Sequence, residues 1–146
     1  MSELLNWGDE ILSIPDPKLD LMHKVIKYEY AGYAFVMAAS TETAPANRIR
    51  FSDRSIEYCD VTKQLLREAK RAKNGDLAET LDWLRNDDTE PRVDYISAMA
   101  YCMKSVAEQK PELGERARQA WDNIPPYFKV ANPVEGTPEL KDCIRN

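Results

Sequence analysis

The sequence predicts an all-α fold, a compact bundle of five or six helices with a proline-rich C-terminal extension. Three observations predict it. Apolar residues recur at three- and four-residue spacings rather than in alternation, as on helix faces. The 146 residues include only five glycines, and nothing reads as a strand followed by a tight hairpin. Breaks fall at prolines and at Asn74-Gly75, and the segments between them are long enough for helices.

A first short helix is predicted over Ser2–Leu12, with Leu4, Trp7, Ile11 and Leu12 facing inward. Asp16-Pro17 supplies an N-cap and a proline at the first helical position, opening a second helix that runs to about Ala39. That helix is apolar nearly all round beyond Tyr30, which marks it as the central one. Residues 40–47 read as a loop. Ser52 caps a third helix that stops at Asn74-Gly75. Asp76 and Glu79 have capping-box spacing and open a fourth helix through Leu84. A polar loop, Asn86 to Pro91, leads to a fifth helix over Val93–Glu108, and Lys110-Pro111 begins a sixth that ends near Trp121. Residues 1–123 thus form a helical core. Residues 124–146 form a looser extension packed on it, with a last turn capped at Thr137-Pro138.

At about 100° per residue, Tyr58, Val61, Leu65, Leu66, Ala69 and Ala72 share one face of the third helix. Tyr95, Ile96, Met99, Cys102, Met103 and Val106 share one face of the fifth. Glu29 falls among Met22, Val25, Ile26, Tyr33 and Val36 on the second. An unpaired buried carboxylate is costly, so Glu29 requires a partner: a tyrosine hydroxyl or an arginine from another helix, with Arg48 and Arg50 the nearest candidates by sequence. Alternatively it lines a pocket.

The net charge of −5 disfavours non-specific nucleic-acid binding by the molecule as a whole. The charge is unevenly spread. Residues 47–75 hold eight basic and four acidic side chains; the remainder holds twelve basic and twenty-one acidic. Lys63, Arg67, Lys70 and Arg71 form a stripe opposite the apolar face of the third helix, and with Arg48 and Arg50 they are the candidate partner-binding residues. Tyr101, placed on the outer face of the fifth helix among Asp94, Lys104 and Glu108, is a further candidate.

Catalytic patterns are few. The lone histidine, His23, projects toward Lys27 and reads as an edge-of-core residue. No phosphate-binding loop, dinucleotide fingerprint or zinc signature occurs. Glu57-x-x-Asp60 and Glu79-x-x-Asp82 look like the magnesium sites of all-α nucleotide pyrophosphatases of the MazG and dimeric dUTPase kind, a resemblance confined to these four residues. It implies a magnesium-dependent nucleotide pyrophosphatase. Helical phase opposes it: neither pair lies on an apolar face, and about 15 Å along the hairpin would separate them. Asp60 is expected to pair with Lys63 instead. Neither a cofactor nor a metal site is expected.

Cys59, Cys102 and Cys143 are odd in number and widely spaced, and read as reduced, unpaired thiols. With no signal-like start and no membrane-length apolar run, the composition points to the cytoplasm and away from membranes. By elimination the sequence suggests a small protein-binding regulator or inhibitor without catalytic activity. That class includes antitoxin- or immunity-like proteins, phage anti-defence proteins and small subunits of larger complexes. Its partner would be another protein or a second copy of the chain. The alternative is a nucleic-acid-associated subunit using the basic third helix.

Overall fold

The computed structural model describes residues 2–71 and 75–144, and all regular structure among them is helical. In chain order the α-helices are α1 (Ser2–Leu12), α2 (Leu21–Thr41), α3 (Pro45–Arg71), α4 (Gly75–Asn86), α5 (Thr89–Glu108), α6 (Pro111–Asp122), α7 (Pro126–Ala131) and α8 (Pro138–Lys141). Short 3-10 turns occupy Asp16–Lys18 and Val134–Gly136. The all-α bundle is therefore as the sequence predicts. No helix of the described residues is long and apolar enough to cross a membrane.

The second helix begins later than expected. Asp20, not Asp16, is its N-cap, accepting the His23 backbone N–H at 2.8 Å. Asp16 is used elsewhere. Its carboxylate takes bonds from Lys27 Nζ at 2.7 Å and the Tyr28 hydroxyl at 2.6 Å. The third helix begins earlier, because Pro45 fills its first turn and the loop contracts to Glu42–Ala44. Ser52 is accordingly buried mid-helix rather than a cap, and Arg48 and Arg50 are helical. Ala72, Lys73 and Asn74, with the expected stop, lie outside the described residues, as does the Asp76 side chain of the expected capping box.

The buried seam of α3 differs from the apolar stripe read from sequence. It comprises Ser52, Ser55, Cys59, Thr62, Leu66 and Ala69, alternating three- and four-residue steps. These small side chains let α3 approach α2 closely. Ser55 Oγ donates to the Gly32 carbonyl at 2.7 Å, and a Cβ on Gly32 would stand 3.1 Å from Cys59 Sγ. Tyr58, Val61 and Leu65 flank the seam, half-buried.

The central position is shared. α2 buries Val25, Ala31, Ala34, Phe35, Val36, Ala38 and Ala39, but leaves Tyr30 and Tyr33 exposed. α5 is enclosed on more sides and packs against α2, α3, α4, α6 and α8, with Ser97 through Ala100 all buried. Val106, expected inward, is exposed at its end. The link from α4 to α5 is shorter than predicted, since Pro91 falls inside the first turn of α5 and Asp88 makes the turn in the left-handed region at φ 57°.

The cysteine expectation is overturned. Cys102 on α5 and Cys143 just beyond α8 form a disulfide, with Cα atoms 5.7 Å apart. Sequence spacing said nothing of this, because α8 is brought back against α5. The C-terminal segment is thus bonded to the core as well as packed on it. Structural disulfides are rare in reducing compartments, so the cysteines no longer argue for a cytoplasmic setting. Cys59 is the free cysteine, and burial pushes its thiol up to about 12.

Candidate functional site

Glu29 is 2% exposed, as its helical phase requires. Its partner is an arginine from another helix, though neither Arg48 nor Arg50. Arg92 of α5 places Nε 2.5 Å from Glu29 Oε1 and Nη2 2.6 Å from Asp87 Oδ2, while Nη1 donates to the Asp87 carbonyl at 2.6 Å. One guanidinium thus bridges two carboxylates. Burial raises the Glu29 carboxyl above its ordinary value, and the Arg92 hydrogen bond opposes that rise. Arg48 instead caps the α2 C-terminus through the Ala39 carbonyl, and Arg50 lies over the Phe51 ring.

The Glu29–Arg92 pair opens onto a cavity of about 810 Å³ between α1, α2, α5 and the C-terminal segment. Trp7, Tyr30 and Tyr33 form one wall. The Trp7 ring lies 6.0 Å from Tyr30 and 6.4 Å from Tyr33, the latter edge-on at 86°. Trp7, read as inward from sequence, is exposed because Gly8 takes the packing position against Phe35. Met37, Ile96, Met99, Phe128, Thr137 and Glu139 also line the cavity. The Tyr95 hydroxyl bonds Thr137 Oγ1 and ties the C-terminal segment to α5.

The basic stripe is less free than its helical phase suggests. Lys63 turns toward α5 and pairs with buried Asp94 at 3.0 Å rather than with Asp60. Lys70 pairs with Glu90 at 2.8 Å. Arg67 donates to Gln64 along its own helix, and Arg71 is exposed. Lys63, Arg67 and Lys70 line a second cavity, of about 780 Å³, shared with Arg85, Glu90 and Asp94. Two of the four cations are therefore neutralised by carboxylates of the neighbouring helix.

The remaining candidates are dispersed. Tyr101 does not stand on an open outer face. It is half-buried against the main core, and burial, with Asp60 nearby, raises its hydroxyl. His23 is exposed rather than at the core edge, its ring 2.6 Å from Asp20 at the α2 cap. Glu57, Asp60, Glu79 and Asp82 are all exposed, and Asp82 meets Arg85 at 3.5 Å.

Comparison with protein-family models, with curated proteins and with solved structures finds no match. Sequence reasoning found Glu29 but missed Arg92, Asp87 and the aromatic wall. The available signal was Tyr30 and Tyr33 three residues apart, amphipathic side chains on the edge of a helix otherwise committed to the core.

Proposed function

We propose that this chain is a small binding domain without catalytic activity, acting as a regulator or subunit. Its partner is another protein, which seats a segment in the groove walled by Trp7, Tyr30 and Tyr33. One observation carries this reading: three adjacent aromatic side chains remain exposed around a concave, largely apolar cavity whose lining includes two methionines. Aromatic side chains in such a setting are favoured binding anchors, and methionines adapt to a partner's shape. The fold itself gains little from leaving them in water. A nucleic-acid role through α3 is weaker, because Asp94 and Glu90 already occupy Lys63 and Lys70.

The test is affinity capture from the native host with three baits. Wild type should retain a specific protein. Tyr30→Ala with Tyr33→Ala should lose it, whereas Arg67→Glu with Arg71→Glu should keep it. Loss only with the arginine variant would move the interface to the basic face.

A further inference from the structure

We infer that the groove recognises a guanidinium group, presented by an arginine of the partner's segment; this rests on the groove being the docking site. Cations of the chain are distributed unevenly over its aromatic rings. The protein places Arg54 4.0 Å from the Phe35 ring centroid, Arg50 over Phe51 and Lys129 over Trp121. Among the described residues no cation of the chain lies over Trp7, Tyr30 or Tyr33, although these are the exposed rings of the groove. Two of them meet edge-on, so Trp7 and Tyr33 form a corner with ring faces on two sides. A planar, weakly hydrated cation gains from stacking there, and arginine does so more readily than lysine.

The charged side chains of the lining are Glu29, Arg92 and Glu139, and Arg92 is paired with Glu29, so the lining carries one negative charge when both carboxylates are ionised. Glu139 is the carboxylate of the lining that does not bond Arg92. An incoming cation therefore meets a negative, partly desolvated groove, on a protein whose net charge of −5 steers it inward. An anion or a purely apolar segment gains nothing from either carboxylate.

The experiment titrates the full chain with ethylguanidinium and, separately, with ethylurea, its uncharged near-isostere, following the Trp7 indole N–H by NMR. Ethylguanidinium should shift that resonance saturably, along with the amides of Gly136 and Thr137, and ethylurea should not. Glu139→Gln should weaken the shift about three- to tenfold, the range expected of a cation held by rings and one carboxylate. Equal response to ethylurea, shifts confined to the outward carboxylates Glu57, Asp60, Glu79 and Asp82, or no shift at all would overturn the inference. So would a Trp7 resonance that moves with protein concentration alone, which would assign the groove to a second copy. If partner capture still depends on Tyr30 and Tyr33 while ethylguanidinium is silent, the docking site stands and the cation does not.

Discussion

Arg92 on α5 reaches Glu29 on α2 across 63 residues of sequence, Nε to Oε1 at 2.5 Å, and is the charged partner that permits a carboxylate to sit 2% exposed within a helix face. Removing one member of a buried pair strands the other, typically costing about 3–5 kcal/mol, or nearer 2–3 here because the guanidinium is partly open to solvent. Arg92→Ala is therefore expected to lower stability at neutral pH. The Glu29 carboxyl is raised in the folded state, so its protonated form favours folding at low pH and that contribution is lost as pH rises through the raised value. Without Arg92 the rise is larger. Urea melts should show a smaller loss at about pH 5 than at neutrality; an equal loss at both would show that Glu29 is not left desolvated.

Lys27 is nearly as buried as Glu29 and makes an analogous arrangement at the start of α2. Its ammonium binds the Ile14 carbonyl at 2.6 Å and Asp16 at 2.7 Å. Bonds from Lys27 and Tyr28 lower the Asp16 carboxyl below its ordinary value. Its stabilising effect is thus present above the ordinary carboxylate pKa and lost as pH falls through the lowered one. Asp16→Asn should destabilise by about 1–3 kcal/mol at neutral pH. The deficit should shrink in acid, and a pH-independent deficit would assign it to packing alone.

The Cys102–Cys143 bond closes a 41-residue separation. Cross-links of this span commonly contribute about 2–4 kcal/mol. Cys143→Ser should lose that much in a denaturant melt. Thiol titration of the unreduced, denatured chain should find one reactive group, Cys59, rather than three. Three would show the bond absent in solution.

Gly32 and Cys59 set the spacing of α2 and α3, since a Cβ on Gly32 would stand 3.1 Å from the buried sulfur. Alanine in place of glycine gains about 1 kcal/mol of helix propensity. Overpacking costs about 1–3 kcal/mol when the neighbour cannot move, and Cys59 is fully enclosed. Gly32→Ala should therefore destabilise, and Cys59→Ala on that background should restore part of the loss. An additive pair would show that the sulfur gives way freely.

The helices were legible because apolar periodicity and proline positions are local properties. The α3 seam was not. Ser52, Ser55 and Thr62 count as polar, yet they are buried for their size, so a hydrophobicity pattern turned the face toward Val61 and Leu65. α2 starts later than predicted because Lys27 and Tyr28 bond the Asp16 carboxylate, leaving Asp20 to cap the helix, and such tertiary bonds are invisible to a local capping rule. The burial of Glu29 followed from phase alone. That Arg92 and not Arg48 meets it depends on how α5 crosses α2, as the disulfide depends on where α8 docks.

Helical phase treats Lys63, Arg67, Lys70 and Arg71 as equivalent, but the structure divides them. Lys63 holds Asp94, whose carboxyl is buried and raised by that burial against the pull of Lys63. Lys63→Met keeps the aliphatic stem and deletes the charge, leaving the carboxylate without its ion pair. It should cost about 1–3 kcal/mol. Arg67 and Arg71 are exposed and make no inter-helix ion pair among the described residues. Surface charges of this kind contribute below about 1 kcal/mol each, so Arg67→Glu with Arg71→Glu should leave the thermal midpoint nearly unchanged. Paired melts of the two variants decide the matter. If the arginine variant unfolds early while Lys63→Met does not, the stripe is structural at its outer rather than its inner edge. The expected order leaves Lys63 bound to the fold, with only Arg67 and Arg71 free to meet a partner.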